Sequence, residues 1–198
     1  MALKRLFDIL ISGLALVVLS PLLIGLLLAV KLTSSGPALF RQQRVGLYGR
    51  QFLILKFRSM REDQPVGGLQ ITAKGDPRIT RLGRVLRRTK LDEIPQLFNV
   101  LLGDMSLVGP RPEVSRYVDF YPPEAKQLIF QVRPGITDLA SIEFRDEEAI
   151  LGRAEDRERT YIEEILPKKI AYYCDYVANR SFRRDLVILI KTVAAVLS

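Results

Sequence analysis

The chain has 198 residues and a mass of 22.5 kDa, enough for one domain with a buried core. It contains no histidine and a single cysteine, Cys174. Without histidine the chain cannot build a Ser-His-Asp or Cys-His nucleophilic site or a two-histidine metal triad. One cysteine excludes an internal disulfide and a thiolate zinc cluster. Reactive chemistry in this protein is therefore left to carboxylates, amines and hydroxyls.

The positive charge is concentrated in one part of the chain. The formal net charge is +8, yet residues 31–95 alone carry 14 basic and 5 acidic side chains, whereas residues 96–198 carry 14 basic and 16 acidic ones. A basic block of this kind suits nucleic acid, anionic lipid head groups or a polyphosphate substrate. The sequence next to the block must decide among these three partners.

A membrane segment precedes the basic block. From Ile9 to Val30 there are 22 residues without a charged side chain, and a spanning helix needs about 20. A secretory signal peptide is disfavoured, because its apolar region has only about 7–15 residues and no small-residue cleavage site follows here. A spanning helix and a re-entrant helical hairpin are the two interpretations left open.

The flanks and the centre of this segment favour re-entry. Lys4 precedes it and Lys31 follows it, so both ends carry the positive charge that marks the cytoplasmic side of a membrane. Pro21 lacks an N–H group and crowds the preceding turn, which favours a break. The Ser20 hydroxyl can donate to a carbonyl that Pro21 frees. We predict a re-entrant helix-break-helix; a kinked spanning helix is the alternative.

The chain is predicted to divide into this hairpin, residues 1–32, and a compact cytoplasmic catalytic unit, residues 33–198. Turn residues and β-rich runs over residues 39–57 predict a short β-hairpin. Residues 62–77 combine Gly and Pro without periodicity and predict a mobile loop that could cover a site. The rest is mostly helical, including an apolar segment at 186–197 that is too short to span. The predicted fold class is α+β, mostly helical, with interfacial amphipathic helices.

An arginine series leads into two adjacent carboxylates. Its members recur every three or four residues on a predicted helix, a spacing typical of a solvated face: Arg78, Arg81, Arg84 and Arg88. Asp92 and Glu93 follow, with Thr89 at capping-box spacing and Gly103 placed to end the next helix. A helix start stabilises ionised carboxylates and its free N–H groups favour phosphate. Phosphoryl transfer is one interpretation; simple helix capping is the other.

A second motif holds an arginine rigidly. Pro110 and Pro112 flank Arg111 and restrict the backbone on both sides of it, which predicts a stiff extended loop. An arginine held in this way suits bidentate recognition of phosphate.

These motifs resemble those of the bacterial sugar transferase family, the small monotopic phosphoglycosyl transferases. The resemblance is carried by the runs Asp76–Leu97, Gly103–Pro112, Lys56–Met60 and Arg133–Thr137, together with the Ser20–Pro21 hairpin. It extends over nearly the whole chain.

The resemblance implies transfer of a sugar 1-phosphate from a UDP-sugar to a polyprenyl phosphate, typically undecaprenyl phosphate, with release of UMP. The reaction is expected at the cytoplasmic face of the bacterial inner membrane, in contact with inner-leaflet lipids. In the family the Asp-Glu dyad carries the chemistry, so Asp92 is expected to attack and form a phosphosugar-aspartyl intermediate. Glu93 is its partner, either as a ligand of Mg²⁺ or as a base. Both carboxylates are expected to hold the Mg²⁺ cofactor.

The resemblance also indicates which cations bind the substrate phosphates. A carboxylate attacks a doubly charged diphosphate poorly unless nearby cations neutralise the developing charge. Lys56, Arg87 and Arg111 are the leading candidates, with Arg78 next, and the loop Pro110–Arg111–Pro112 is expected to contact the nucleotide. A homo-oligomer is compatible with the sequence.

The identity of the sugar is left open. Many relatives continue the Pro-Gly-Ile-Thr turn with Gly-Trp and a Gly-Arg-Asn stretch, whereas this chain has no tryptophan and diverges over residues 138–148.

Two other classes of function explain less of the sequence. A nucleic-acid binder would interleave aromatic residues with its basic ones, and none occurs between Arg58 and Lys90, so nucleic acid is not an expected partner. A non-enzymatic membrane scaffold with a basic lipid-binding surface leaves the dyad and Arg111 unexplained.

Overall fold

The computed structural model describes residues 2–61, 71–72 and 75–197. Most of the loop predicted at 62–77 therefore lies outside the described residues. The described chain is mostly helical with two small sheets, as predicted for the α+β class.

The apolar N-terminal segment forms one helix, α1 (Ala2–Thr33), which continues through Pro21. Because Pro21 has no N–H group, the carbonyl of Val17 loses its usual partner. The Ser20 hydroxyl donates to that carbonyl at 2.7 Å, as predicted. This replacement bond lets the helical path persist, so the predicted separation into two helices at Ser20–Pro21 is not observed.

Most of α1 faces outward. It is long and apolar enough to cross a membrane, and no other helix in the described ranges is. Its large apolar side chains are mostly exposed, among them Leu10 at 61%, Val17 at 72% and Leu28 at 56%. Apolar side chains exposed along a whole helix indicate a lipid-facing surface.

Both ends of α1 are attached to the rest of the protein. Near its start, the buried Asp8 carboxylate accepts hydrogen bonds from the Ser106 hydroxyl at 2.8 Å and from the Leu107 N–H at 3.2 Å. Beyond its end, the buried Arg58 guanidinium donates to the carbonyl of Ser34 at 2.7 Å. The two ends of this apolar helix are thus bound by the same body of the protein.

The predicted β-hairpin is confirmed. Strands β1 (Leu39–Val45) and β2 (Gln51–Phe57) pair antiparallel, with Leu39 opposite Phe57. A tight turn at Leu47–Gly49 joins them, and Tyr48 adopts a positive φ of 56° there. The hairpin places Lys56 near the end of β2.

Two short helices follow and frame the dyad. Helix α2 (Arg81–Arg88) begins at Thr80, whose hydroxyl accepts a hydrogen bond from the Gly83 N–H at 2.8 Å. Helix α3 spans Gln96–Leu102 and ends at Gly103, which has a φ of 94°, as predicted.

The capping box predicted at Thr89 is wrong. The Thr89 hydroxyl donates to the Val85 carbonyl at 2.8 Å, so Thr89 closes α2 instead of opening the next helix. The reason is the left-handed backbone of Lys90, with a φ of 56°, which turns the chain directly after Thr89. A threonine hydroxyl can hydrogen-bond to the backbone at the start or at the end of a helix. The turn at Lys90 leaves Thr89 at the end of α2.

The remaining elements complete the domain. A parallel pair is formed by β3 (Ser106–Val108) and β4 (Gly135–Thr137). The helices are α4 (Ser115–Val118), α5 (Pro123–Ile129), α6 (Leu139–Glu143), α7 (Glu147–Arg153), α8 (Arg157–Thr160), α9 (Leu166–Ala178) and α10 (Phe182–Leu197), with a π-helical turn Tyr161–Ile165 between α8 and α9.

The core lies mainly between α9 and the segments around it. Tyr117, Tyr161 and Tyr173 are buried together there, and Tyr176 is buried in a second cluster that also contains residues of α3 and β3. These tyrosines therefore pack inside the protein. Helix α10 buries Ile188 but leaves Ile190 69% exposed, so it has one core face and one apolar outer face.

We predict that Asp8→Ala destabilises the protein by about 2 kcal/mol or more, because it leaves two buried donors without an acceptor. The melting temperature in detergent should fall by about 4–8 °C. Asp119→Ala is the matched control, since Asp119 is exposed, and it should leave the melting temperature unchanged. An Asp8→Ala protein that melts like the native one would contradict this attachment of α1.

Candidate active site

The two dyad carboxylates lie in a short 3-10 turn, Leu91–Glu93, between α2 and α3. The sequence pattern predicts a longer helix start at this point, but the helix begins only at Gln96. Ile94 and Pro95 keep right-handed helical backbone angles, so the turn runs into α3 without a change of hand. The dyad therefore projects from one short, well-defined turn.

Glu93 is clamped by two cations from distant parts of the chain. Its Oε1 accepts a hydrogen bond from Lys56 Nζ at 2.8 Å and a second bond from Arg111 Nη2. Its Oε2 accepts from Arg111 Nη1 at 3.2 Å. A bidentate arginine–carboxylate pair of this kind is strong and directional. The clamp joins β2, the dyad turn and the loop after β3.

The clamp determines the ionisation of its members. Burial alone would raise the pKa of Glu93, but Arg111 and Lys56 outweigh it and hold this pKa well below the usual range. Burial lowers the pKa of Lys56, against the opposing effect of Glu93, and Glu93 raises the pKa of Arg111. Glu93 is therefore ionised near neutral pH, and a carboxylate with such a low pKa is a weak base.

Asp92 has the opposite environment. It is only 6% exposed, and its Oδ1 has no hydrogen-bond partner among the described residues. Burial and the adjacent charge of Glu93 raise the pKa of Asp92, while Lys56, Arg87 and Lys90 act in the opposite direction. Two neighbouring carboxylates whose pKa values are driven apart are typical of a site that assigns them different roles.

The loop that carries Arg111 is held by contacts with other parts of the chain. Pro110 and Pro112 are buried. The Arg44 guanidinium donates to the Pro112 carbonyl and to Glu113 Oε1, both at 3.1 Å, and the Tyr161 hydroxyl donates to Glu113 Oε2 at 2.5 Å. These supports were not predicted from the sequence, although Glu113 directly follows the loop.

The other two predicted phosphate-binding arginines are placed differently. Arg87 pairs with Glu148 of α7, with Nε donating to Oε1 at 3.1 Å, yet its charge acts on Asp92. Arg78 pairs with Asp76, with Nη2 donating to Oδ2 at 2.7 Å. The structure thus brings Lys56 and Arg111 to the dyad, keeps Arg87 within electrostatic reach, and engages Arg78 elsewhere.

Gln96, the first residue of α3, is a buried polar residue close in sequence to the dyad. It follows the dyad by one helical turn and is 0% exposed. Neither its Oε1 nor its Nε2 has a hydrogen-bond partner within the described part of the chain. Its spacing from Asp92 was visible in the sequence, but its burial was not.

The donor set fits a magnesium ion that is shared with a substrate. The described residues contain no group of three or more acidic, histidine or cysteine side chains placed to hold a metal. Both oxygens of Glu93 accept bonds from cations, whereas Asp92 keeps an unpartnered oxygen. Mg²⁺ characteristically binds one or two carboxylates together with substrate phosphates and water, and one free carboxylate oxygen is sufficient for that mode.

Comparison with known proteins shows which family the sequence matches. The model of the family described as bacterial sugar transferase matches residues 1–198. The chain is 42% identical to a UDP-glucose:undecaprenyl-phosphate glucose-1-phosphate transferase of Caulobacter vibrioides, over 98% of this chain and 70% of that protein. It is 40% identical to a UDP-N-acetylgalactosamine-undecaprenyl-phosphate N-acetylgalactosaminephosphotransferase of Aeromonas hydrophila, over 98% of this chain and 44% of that protein.

A third relative is of nearly the same length. The exopolysaccharide production protein ExoY of Sinorhizobium fredii is 36% identical, over 98% of this chain and 84% of that protein. The chain thus spans most of the length of the Caulobacter and Sinorhizobium proteins and less than half of the Aeromonas protein. The names of the first two relatives specify different sugars, glucose and N-acetylgalactosamine, although the two proteins are almost equally identical to this chain.

We predict that Glu93→Gln destabilises the protein by about 3–5 kcal/mol, because it leaves two largely buried cations without their counter-ion. The lowered pKa of Glu93 means that the clamp contributes fully above the unfolded-state pKa of about 4.3 and is lost as the pH falls through the folded-state value. The gap in unfolding free energy between native and variant protein should therefore persist at pH 5 and narrow in stronger acid.

Urea unfolding in detergent measures this gap at each pH. Glu163→Gln is the matched control, because Glu163 forms an exposed pair with Arg159 and its loss should have no measurable effect. Equal stability of Glu93→Gln and native protein at pH 7 would show that the clamp does not stabilise the fold.

Proposed function

Because the chain belongs to the bacterial sugar transferase family, we propose that it transfers a sugar 1-phosphate from a UDP-sugar to undecaprenyl phosphate and releases UMP. Relatives at about 40% identity are named for this reaction with two different sugars. The observation that carries the proposal is the division of the dyad into an ionised, cation-clamped Glu93 and a buried Asp92 with a free oxygen.

The proposed reaction has two displacement steps at one phosphorus atom. In the first, a carboxylate oxygen of Asp92 attacks the β-phosphorus, a new P–O bond forms, and the bond to the oxygen bridging to the α-phosphate breaks. UMP leaves with that electron pair, and the sugar phosphate stays on Asp92. In the second, a phosphate oxygen of undecaprenyl phosphate attacks the same phosphorus and the Asp92 carboxylate departs. The product is a polyprenyl diphosphate-linked sugar, the first membrane intermediate of a glycoconjugate.

The environment of Asp92 supports its role as the nucleophile. Burial removes water from the carboxylate and raises its pKa, which makes the ionised form more basic and a better nucleophile. Lys56 and Arg87 oppose this rise in pKa and so favour the ionised form that the attack requires. A substrate diphosphate would add negative charge beside the same cations, so positive charge at this point stabilises the transition state.

In this proposal Glu93 acts as a positioning counter-ion and not as a base. Its low pKa makes it a poor proton acceptor. It holds Lys56 and Arg111 side by side while leaving some of their N–H donors unused, since lysine has three and arginine five. Those donors are available to the oxygens of a diphosphate, and the braced loop Pro110–Arg111–Pro112 keeps the guanidinium in place beside the nucleotide end of the substrate.

We further propose that the reaction uses Mg²⁺, held by the substrate phosphates and a dyad carboxylate, with Asp92 Oδ1 as the available ligand. When bound, the ion would neutralise charge on the diphosphate and on the departing UMP. Lys56 and Arg111 orient the same phosphates from the protein side.

The attachment of α1 supports a re-entrant topology on the cytoplasmic face of the inner membrane. A straight 32-residue helix is about 48 Å long, and one that spanned the hydrocarbon layer of about 30 Å would separate its ends. Here Asp8 near one end and the segment beyond Thr33 at the other both bind the same domain. We propose that α1 remains in one leaflet, with its exposed apolar side chains in contact with lipid tails.

The basic and apolar surfaces nearby support the same placement. Exposed arginines of α2, Arg81, Arg84 and Arg88, are suited to anionic head groups. The apolar outer face of α10 around Ile190 is suited to the interface. A protein held at this depth would present Asp92 near the level of a lipid phosphate.

Release of UMP from a panel of UDP-sugars tests the proposed reaction. We expect the purified protein, with Mg²⁺ and undecaprenyl phosphate, to release UMP from one or a few of them, and Asp92→Asn to release none while staying folded and membrane-bound. Asp119→Asn is the control for an exposed aspartate and should keep full activity. Chelation by EDTA should stop release, and added Mg²⁺ should restore it.

Two results would contradict the proposal. Release of UMP by Asp92→Asn at the native rate would remove Asp92 as the nucleophile. Membrane binding without UMP release from any UDP-sugar would favour a non-enzymatic scaffold.

Labelling of introduced cysteines tests the topology. In a Cys174→Ser background, Ala2→Cys and Ser35→Cys place thiols at exposed positions on either side of the apolar segment. We expect a membrane-impermeant maleimide to label both in inverted vesicles and neither in right-side-out vesicles, because a re-entrant helix keeps both ends on the cytoplasmic side. Labelling of the two positions from opposite sides would establish a spanning helix.

A further inference from the structure

Tyr161 directs a buried hydroxyl at the segment that carries Arg111. The residue is 2% exposed, and its hydroxyl donates to Glu113 Oε2 at 2.5 Å. Burial, followed by Glu113 and Glu147, raises the pKa of Tyr161 well above its usual value, so the phenol keeps the proton that it donates. Glu113 is two residues from Arg111 in sequence. A tyrosine from a distant part of the chain therefore contacts the residue that directly follows the Pro110–Arg111–Pro112 loop.

The same glutamate is also held by the β-hairpin. Glu113 Oε1 accepts a hydrogen bond from the Arg44 guanidinium at 3.1 Å. The backbone carbonyl of Glu113 accepts another from the Val45 N–H at 2.9 Å. Both donors belong to β1. The chain just after Arg111 is thus fixed by β1 and, independently, by Tyr161.

The local backbone and two contacts hold the ring of Tyr161. This residue begins the π-helical turn Tyr161–Ile165, a rare geometry that is frequent at functional sites. The Tyr117 ring packs edge-on against it, with 4.9 Å between the two centroids, and Lys169 Nζ lies over the ring at 5.1 Å from its centroid. These contacts restrict the motion of the ring. The hydroxyl is therefore presented from a fixed position and is suited to fixing its partner.

We propose that Tyr161 is a positioning residue for the UDP-sugar: through Glu113 it fixes the loop from which Arg111 reaches the diphosphate. The inference rests on the proposed function. An arginine side chain has several rotatable bonds, so the pair with Glu93 does not by itself fix the backbone from which Arg111 extends. Tyr161 removes that freedom. A donor held in one place loses less entropy when the diphosphate binds, and its alignment with the reacting phosphate is preserved.

The two displacement steps should respond differently to the loss of this support. In the proposed reaction Arg111 lies at the nucleotide end of the substrate, and UMP leaves in the first step. A misplaced Arg111 should therefore slow the reaction with the UDP-sugar but not the later attack of undecaprenyl phosphate. For two successive displacements, kcat/KM for the UDP-sugar reports the first step and kcat/KM for undecaprenyl phosphate reports the second. A smaller folded fraction would lower both values equally.

Tyr161→Phe is the decisive variant, because it removes only the hydroxyl. We expect kcat/KM for the UDP-sugar, measured by UMP release, to fall by about 3- to 10-fold, as for the loss of one hydrogen bond. The value for undecaprenyl phosphate should change by less than about twofold. Tyr117→Phe is the matched control. Tyr117 is buried in the same cluster, but its hydroxyl lies 3.5 Å from Glu158 Oε1, so both values should stay within about twofold of native ones.

The outcomes separate this inference from the proposed function. If native protein releases UMP in an Asp92-dependent manner while Tyr161→Phe keeps both native kcat/KM values, the inference fails and the proposed function stands. An equal loss for the two substrates would overturn it in favour of a packing role. If Tyr161→Phe does not fold, Glu113→Gln weakens the same hydrogen bond from the acceptor side, and no loss or an equal loss in that variant has the same meaning. Absence of UMP release by native protein overturns both proposals.

Discussion

The clamp of Lys56 and Arg111 on Glu93 is the interaction on which the site depends. It joins three parts of the chain that are distant in sequence, since Lys56 lies 37 residues and Arg111 18 residues from Glu93. Two cations brought together in a largely buried site would repel each other, and the shared carboxylate makes their approach favourable. The dyad turn is held between β2 and the loop after β3 as a result. That placement leaves Asp92 buried, close to positive charge and without a partner for one oxygen.

The attachment of α1 to the domain involves the strand that leads to the site. A buried carboxylate, Asp8, and a buried guanidinium, Arg58, bind the two ends of the apolar segment to the domain. Arg58 directly follows β2, the strand that carries Lys56. The segment that follows the apolar helix and one clamp residue are therefore connected through the same strand.

Local sequence patterns correctly predicted those elements whose residues are compatible with only one local structure. The β-rich hairpin and the glycine that ends α3 are of this kind, because strands and positive φ select few residues. The errors occurred where one residue satisfies two local rules. Thr89 can open or close a helix, and the left-handed turn at Lys90 decided the matter. The Ser20–Pro21 pair can break a helix or repair it, and the bond from Ser20 to the Val17 carbonyl repaired it.

The sequence by itself determined the chemical inventory: an apolar segment long enough for a membrane, a basic block, two adjacent carboxylates and an arginine between prolines. It also limited reaction chemistry to groups other than imidazole and paired thiols. Only the tertiary structure decided how Asp92 and Glu93 differ, that Arg78 binds Asp76 instead of approaching the dyad, and that Gln96 is fully buried. The physical reason is that pKa values and polar satisfaction depend on burial and on partners from distant parts of the chain, which no local pattern contains.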